Sequence, residues 1–191
     1  FFSLLTSSQE KGVGAFLVPS CIRMLTKFGG KQMKDAAIKL AFIETGGDAL
    51  DVPTMADLHK QLPHTRLFNT YASTETGVVA TFEFTHHQLA GCVGYALPNA
   101  RFDITPEGHI RCAGDTLMNG YLRMGEQTTY EPLTEKSFTT CDCGEIDNQG
   151  RLQFKCRDSD IINTGGFKVS PQEVEAAANS FAEVKACVCI A

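Results

Sequence analysis

Apolar runs alternate with amphipathic segments over the first third of the chain. Residues 12–18, 40–43 and 65–68 are short apolar runs that are typical of buried strands. Residues 19–28 carry apolar side chains at helical spacing, and residues 51–62 begin with a capping Asp and a Pro near the first turn, which predicts a second helix. The order strand, helix, strand, helix, strand predicts an α/β fold built on a right-handed parallel βαβαβ sheet.

The pattern changes near residue 89 to short alternating runs separated by Gly, Pro and Asn. Residues 101–104, 109–112 and 151–154 are candidate strands, with turns predicted at residues 105–108 and 147–150. Alternation with short turns is typical of antiparallel sheets. We therefore expect a small antiparallel or barrel-like β region after the parallel sheet.

The last part of the chain contains a helix start signal. Ser170 can act as the cap, Pro171 fits the first helical position, and Glu173 is placed for the reciprocal capping bond. We expect the helix to point these apolar side chains inward: Val174, Ala177, Ala178 and Phe181. A strand is predicted over residues 184–190, so this part has the character of the start of a small α+β domain.

Composition describes a globular protein. The 191 residues are 43% hydrophobic, which is enough for one or two domains with a real core. The net charge of -5 argues against a nucleic-acid partner or a polybasic membrane surface. No apolar run is long enough to span a bilayer and no signal peptide is recognisable, so a cytoplasmic location is expected. The first residue is not Met and lies in an apolar segment, which indicates a piece of a longer protein.

Eight cysteines occur in the chain. Because the chain is well supplied with core residues and has no export signal, we expect free thiols rather than disulfides. The pairs Cys141 and Cys143, and Cys187 and Cys189, do not have the spacing of a zinc ribbon. Neither a metal centre nor a catalytic cysteine is expected from these patterns.

The polar stretch at residues 69–77 directly follows the third predicted strand. Open α/β sheets place their ligands at the carboxyl ends of strands. Here the ring of Tyr71 could stack on a base, the hydroxyl of Thr74 could contact a phosphate, and the carboxylate of Glu75 could hold Mg²⁺. The alternative is a turn rich in small polar residues.

Further motifs follow this stretch in a fixed order. Residues 71–75 read Tyr-Ala-Ser-Thr-Glu, residues 140–142 Thr-Cys-Asp, residues 157–162 Arg-Asp-Ser-Asp-Ile-Ile, and residues 165–175 carry Gly-Gly-Phe-Lys-Val-Ser-Pro followed by Glu-Val-Glu. This ordered set resembles the adenylate-forming superfamily of acyl-CoA synthetases, luciferases and nonribosomal-peptide adenylation domains. The resemblance covers nearly the whole chain, from about Val13 onward.

The resemblance implies a site for ATP or AMP and Mg²⁺. The residues implied to bind the nucleotide are Gly47, Asp48, Asn69, Tyr71, Thr74, Asp142 and Arg157. Thr74 and Glu75 would be catalytic, with Glu75 as the Mg²⁺ ligand. For Gly47 and Asp48 a simple tight turn is the alternative.

Asp142 and Arg157 also have a physical rationale. A carboxylate can accept two hydrogen bonds from a ribose diol, and a guanidinium can donate to hydroxyl or phosphate oxygens. The alternative is a surface ion pair worth at most about 1 kcal/mol. The chain departs from the family here, because Cys141 and Cys156 stand where glycine is usual.

The resemblance also implies two domains. Residues 1–157 would belong to a large domain, and residues 158–191 to a hinge and the start of a small mobile domain. Ser159 falls at the hinge, and Gly165 and Gly166 lie in a hairpin that would swing into the site for a thiol half-reaction. Ordinary turn glycines are the alternative.

The activity implied is that of an AMP-forming acid–thiol ligase. A small carboxylic acid and ATP would give an acyl-adenylate, from which coenzyme A displaces AMP. A module that loads a carrier protein, and a degenerate non-catalytic nucleotide-binding domain, remain alternatives. The family's phosphate loop and late lysine are not found, since Lys155, Lys168 and Lys185 do not occupy that place, so the chain alone is expected to be inactive. Neither the acid nor the oligomeric state is predicted.

Overall fold

The structure, a computed structural model, describes residues 1–10, 12–125, 127–181, 183–184 and 187–190. In chain order its helices and strands are α1 Phe2–Ser7, β1 Val13–Phe16, α2 Pro19–Phe28, α3 Gly30–Ala37, β2 Leu40–Gly46, α4 Val52–Gln61, β3 Arg66–Ser73, β4 Gly77–Glu83, β5 Cys92–Ala96, β6 Ala100–Ile104, β7 His109–Gly114, β8 Gly120–Arg123, β9 Thr129–Pro132, β10 Ser137–Ile146, β11 Leu152–Arg157, β12 Ile162–Thr164, β13 Phe167–Val169 and α5 Pro171–Asn179. A 3-10 turn covers Asp158–Asp160. None of the helices in these described ranges is long and apolar enough to cross a membrane.

The parallel part of the main sheet follows the sequence prediction. β1 pairs with β2 and β2 with β3, both parallel, and helices connect each pair. The side chain of Asp51 accepts a hydrogen bond from the backbone N–H of Thr54 at 2.8 Å and caps α4. These features confirm the βαβαβ prediction and the α/β class.

The helical segment after β1 is longer than predicted, because a second helix follows the predicted one. The sequence pattern predicts a stop at the Gly pair, and α2 does end at Phe28. Gly30, with φ of +46°, then turns the chain, and α3 begins at once. α3 buries Met33 and Ala36 in the same core as Ile22 of α2. This burial stabilises α3, although the glycines at its start are poor helix formers.

β3 extends further than its predicted end at Asn69. It runs to Ser73 and returns through β4 as an antiparallel hairpin, with Tyr71 opposite Ala80 and Ser73 opposite Gly77. The polar residues stay in the strand because their side chains find partners inside the fold, as when Asn69 Nδ2 donates to the carbonyl of Cys92 at 2.9 Å. In the polar stretch after the predicted strand end, residues 69–73 are therefore strand and residues 74–76 form the turn.

The predicted antiparallel region joins the parallel strands in one sheet. Among the described residues, the main sheet has nine strands in the order β1-β2-β3-β4-β5-β11-β10-β7-β6. Strands β6, β7 and β11 contain the predicted runs. The central strand β10 pairs with β11 on one side and β7 on the other, and its register sets Asp142 directly opposite Arg157.

A substitution at Gly94 in β5 tests how closely β5 approaches β4. The φ of Gly94 is +84°, and an added Cβ would lie 2.0 Å from the carbonyl oxygen of Thr81. We expect Gly94→Ala to lower the free energy of unfolding by about 3 kcal/mol, measured by urea denaturation. Gly108→Ala is the matched control, because Gly108 has φ of +92° with nothing within 4 Å, so only the backbone strain of about 1 kcal/mol remains. Equal losses in the two variants would contradict the close approach of β5 to β4.

The turn between β10 and β11 is organised by Asp147. Its carboxylate accepts from the backbone N–H of Gln149 and Arg151 at 2.9 Å each, and from Arg151 Nε at 2.7 Å. Burial pushes the pKa of Asp147 upward, but these hydrogen bonds outweigh it and lower the pKa to about 2. A lowered folded-state pKa stabilises the protein above the ordinary Asp value, and this stabilisation is lost as the pH falls towards 2.

The corresponding prediction compares the wild type with Asp147→Asn in denaturant titrations. The wild type is expected to be the more stable protein at neutral pH, and the difference should shrink as the pH falls from about 4 to about 2. A difference that stays constant over that range would contradict the role of the ionised carboxylate.

The C-terminal part begins with the 3-10 turn and the hairpin of β12 and β13. Gly165 and Gly166, with φ of +55° and +85°, make the hairpin turn. α5 begins after Ser170 as predicted, but Ser170 makes no side-chain cap bond, because its hydroxyl donates to Gln172 Oε1 at 3.1 Å.

Two other expectations for this part are wrong. Val174 and Phe181 are 41% and 64% exposed rather than inward, since the described chain provides no second layer over that face of α5. Val184 and residues 187–190 form no strand, and residues 185–186 lie outside the described residues. The amide of Cys189 donates instead to Glu175 Oε1 at 2.9 Å, which uses a donor that a strand ladder would need.

Candidate active site

A buried carboxylate lies where β3 meets β10. Asp142 is 4% exposed, and both of its side-chain oxygens are contacted. Tyr71 Oη donates to Oδ2 at 2.8 Å, and Arg157 Nε donates to Oδ1 at 2.8 Å. The Arg157 side chain is 55% exposed, so one end of the ion pair is buried and the other opens to solvent.

Thr140 fixes the position of Asp142 on its strand. The Thr140 hydroxyl donates to the carbonyl of Ile110 at 3.0 Å and accepts from the backbone N–H of Asp142 at 3.1 Å. This bridge ties β10 to β7 at an interruption in their register. Cys141 lies between Thr140 and Asp142 in the sequence and is exposed, so its side chain takes no space inside the site. The sequence motif contained Thr140 but gave no sign of this bridging role.

Tyr71 does not present its ring as the sequence interpretation required. The residue is 6% exposed, and its ring packs in a cluster with Val79, Ile110 and Cys112. Burial raises the pKa of Tyr71 far above its ordinary value, so the phenol stays a neutral donor. In this structure the stacking interpretation is replaced by another contact, in which the hydroxyl holds Asp142.

Glu75 lies in the turn between β3 and β4. Its backbone carbonyl accepts from the N–H of Met118 at 2.8 Å, and its N–H donates to Ser73 Oγ at 3.2 Å. Tyr121 Oη donates to Glu75 Oε1 at 3.4 Å, a long hydrogen bond. The carboxylate is half-buried with most of its accepting capacity free, and Thr74 beside it is exposed.

Tyr121 is the side-chain neighbour of Glu75. Burial raises the pKa of Tyr121, and the neighbouring charge of Glu75 raises it further. The connection between Glu75 and Asp142 runs along β3, because Tyr71 contacts Asp142 and lies on the strand that leads into the Glu75 turn. Sequence reasoning missed Tyr121, whose only signal was an aromatic residue after a glycine.

The remaining predicted residues on the parallel strands are less directly placed. Gly46 pairs with Thr70, which sets the following Gly47 beside the Tyr71 segment of β3. Gly47 has φ of +85° with open space where a side chain would be. Asp48 is exposed and its Oδ1 accepts from the N–H of Ala49 at 2.7 Å. Asn69 is 5% exposed and bonded to Cys92, so its amide faces the sheet interior rather than an open pocket.

The predicted hinge residues lie just beyond Arg157. Ser159 is exposed, and its hydroxyl donates to Asp160 Oδ1 at 2.9 Å. The hairpin turn of Gly165 and Gly166 has open space around both α-carbons. The structure therefore brings Tyr71 and Arg157 into direct contact with Asp142. The hydroxyl of Ser159 instead contacts Asp160.

The Glu75 turn has the chemistry of a magnesium site. Proteins bind Mg²⁺ through one or two carboxylates together with waters and substrate phosphates. Glu75 supplies one half-buried carboxylate with free lone pairs, and the exposed hydroxyl of Thr74 is its neighbour in the chain. This donor set fits the ion, whose remaining ligands would come from a nucleotide and water.

Comparison with known proteins gives consistent matches. Residues 7–122 match the family model described as AMP-binding enzyme. The chain is 30% identical over 147 residues to D-alanine–D-alanyl carrier protein ligase of Lactiplantibacillus plantarum, an alignment that covers 68% of this chain and 29% of that protein. It is 28% identical over 184 residues to 4-coumarate–CoA ligase 1 of Glycine max, covering 88% of this chain and 62% of that protein.

A solved structure agrees with these sequence matches. The ATP-bound structure of MatB from Rhodopseudomonas palustris superimposes with a TM-score of 0.75 at 26% identity, over 94% of this chain and 37% of that one. The chain thus spans between 29% and 62% of the length of the two sequence relatives.

Proposed function

Because this chain belongs to the AMP-binding enzyme family, we propose that the whole protein is an ATP-dependent ligase that activates a carboxylic acid as an acyl-adenylate. One observation carries the proposal: Asp142 is buried, and it is held from both sides by Arg157 and by Tyr71, which lies on the strand that leads into the Glu75 turn. A buried acid in such a frame is a preorganised acceptor.

Asp142 and Arg157 are proposed to bind the nucleoside. Each carboxylate oxygen accepts one hydrogen bond in the structure and has a further lone pair for a ribose hydroxyl. Arg157 donates only its Nε–H to Asp142, so its terminal N–H groups are available for hydroxyl or phosphate oxygens. Tyr71 is proposed as a positioning residue, because its hydroxyl donates to the Asp142 carboxylate.

Glu75 and Thr74 are proposed to serve the adenylation step. In that step a carboxylate oxygen of the acid attacks the α-phosphorus of ATP, and the bond to pyrophosphate breaks. Bound Mg²⁺ would neutralise phosphate charge, and Glu75 would hold it. Thr74 would donate to a phosphate oxygen, while Gly47 and Asp48 would line the pocket from β2. Catalysis of this kind is mainly positioning and charge neutralisation.

The second half-reaction is proposed to use coenzyme A as the thiol acceptor, with release of AMP. Ser159, Gly165 and Gly166 would provide the hinge and hairpin, with the domain boundary between residues 157 and 158. The 4-coumarate–CoA ligase match, which covers 88% of this chain, favours coenzyme A. The D-alanyl carrier protein ligase match favours a carrier protein as the alternative acceptor.

ATP–pyrophosphate exchange by the whole protein, measured with a panel of carboxylic acids, tests the proposal. We expect exchange that depends on one class of acid, followed by thioester formation when coenzyme A is added. Thioester formation only on a phosphopantetheinyl protein would select the carrier alternative. ATP binding without exchange for any acid would instead support a non-catalytic nucleotide-binding domain, in line with the Cys141 and Cys156 departures.

A further inference from the structure

Three potential metal ligands from separate elements meet beside the segment that follows Arg157. They are His109 of β7, Cys143 of β10 and Asp158 of the 3-10 turn, and their ligand atoms all lie within 4.8 Å of one another. His109 Nε2 lies 2.6 Å from Asp158 Oδ2, and Cys143 Sγ lies 3.4 Å from Oδ1 of the same carboxylate. No local sequence pattern indicates this group, because its members are 34 and 15 residues apart along the chain.

A fourth potential ligand, and the second sulfur, lies next to the group. Cys156 faces Cys143 directly across the β10–β11 pair. Because they are directly opposite in the register, the two side chains lie on the same face of the sheet. Cys156 is one of the positions where the chain departs from the family's usual glycine. The donor set is then one imidazole, one carboxylate and two sulfurs, which is typical of tetrahedral zinc sites.

We propose that His109, Cys143 and Asp158 bind a borderline-soft divalent cation of the Zn²⁺ type, with Cys156 as the fourth ligand. The proposal is independent of the ligase activity, since it uses none of the residues assigned to the nucleotide. It differs from the zinc ribbon that the Cys-x-Cys spacing excluded, because the ligands come from three strands and a turn rather than from two paired knuckles.

The three clustered ligands His109, Cys143 and Asp158 need only small adjustments to accept the ion. Two ligands at about 2.1 Å from zinc in tetrahedral geometry are about 3.4 Å apart. The Cys143–Asp158 separation already has this value at 3.4 Å, whereas His109 and Asp158 must move apart from 2.6 Å. Asp158 is exposed and lies in a short 3-10 turn, so its side chain can make that adjustment.

The charge of the group also fits a cation, because Asp158 supplies a carboxylate beside the Cys143 thiol. Without metal, this thiol donates to Asp158 Oδ1. A cation would replace the thiol proton, which leaves to solvent as the sulfur–metal bond forms.

The ion would join the turn after Arg157 to the main sheet. Asp158 is adjacent to Arg157 and Ser159, whereas His109 and Cys143 belong to paired strands of the main sheet. Binding would therefore restrain the start of the C-terminal part against β7 and β10. This is a structural restraint on the segment that the family resemblance identifies as a hinge.

Titration of the reduced full chain with Co²⁺ under anaerobic conditions tests the site. We expect one Co²⁺ per chain, with a sulfur-to-cobalt charge-transfer band and the intense visible bands of tetrahedral Co²⁺, both removed by added Zn²⁺. Cys143→Ser and His109→Gln should weaken binding by more than about tenfold, since even residues behind metal ligands cost that much when changed. Cys21→Ser, a half-buried thiol on α2 outside the group, should bind like the wild type.

Thermal unfolding gives a second readout. Zn²⁺ should raise the melting temperature of the wild type and of Cys21→Ser, but not of Cys143→Ser or His109→Gln. Circular dichroism of the metal-free variants establishes that each is folded. An unchanged Co²⁺ spectrum in Cys143→Ser, or tetrahedral bands without the sulfur band, would each overturn the proposal.

Discussion

Replacing Glu75 with glutamine is expected to lower ATP–pyrophosphate exchange by the whole protein by about 100-fold or more. Glutamine keeps the length of the side chain and can still accept from Tyr121, so the turn between β3 and β4 should hold its shape. What it removes is the negative charge. A hard dication prefers a carboxylate to a neutral amide, so the proposed magnesium site should lose its protein ligand.

Magnesium titration separates this explanation from a general loss of folding. The variant should need a higher Mg²⁺ concentration for half-maximal exchange, while its unfolding midpoint stays close to that of the wild type. Glu145→Gln is the matched control, because Glu145 is an exposed acid whose ion pair with Lys155 lies outside the site. Equal loss in both variants, or full activity in Glu75→Gln, would contradict the assignment of Glu75.

Replacing Asp142 with asparagine is expected to weaken ATP binding by about 10- to 100-fold, because hydrogen bonds to a charged group are worth roughly 1.5–3 kcal/mol. Asparagine has nearly the same size, so the buried position is not emptied. It offers one acceptor oxygen in place of two, and Tyr71 and Arg157 can no longer both donate to it. The effect should fall mainly on the KM for ATP, since the residue is proposed to bind the nucleoside.

Two further variants define what Asp142 does. Tyr71→Phe leaves the carboxylate in place and removes one neutral donor, so its effect on ATP binding should be smaller than that of Asp142→Asn. Asp103→Asn breaks another Asp–Arg pair, formed with Arg111 across β6 and β7, in which both side chains are exposed. That control should leave ATP binding unchanged. Comparable losses in Asp103→Asn and Asp142→Asn would indicate that cross-strand ion pairs only support the sheet.

Several features of the fold could be predicted because their causes are local. The alternation of apolar runs and helical spacing indicated the βαβαβ sheet, and the Asp51 cap marked the start of α4. The glycine pair at the β12–β13 turn has positive φ at both positions, as a tight hairpin requires. In each case the deciding residues lie close to each other in the sequence.

The candidate site was predictable only in part. The ordered motifs pointed to Glu75, Asp142 and Arg157. Asp142 and Arg157 are in direct contact, and Glu75 follows the strand whose Tyr71 contacts Asp142. Stacking of the Tyr71 ring on a base stays a prediction. In the structure the ring is buried, and its burial depends on Val79, Ile110 and residues contributed by other strands. Local sequence cannot show whether an aromatic ring faces a ligand or a core.

The amino-acid sequence by itself determined the α/β class, the start of each predicted helix and the identity of the acids and arginine in the motifs. The tertiary structure alone decided that β3 continues to Ser73, that Tyr121 reaches Glu75, and that His109, Cys143 and Asp158 meet. The physical reason is the sequence distance over which each interaction acts. Helix caps and turn glycines act on their immediate neighbours, whereas strand register and burial depend on partners tens of residues away, which no local pattern records.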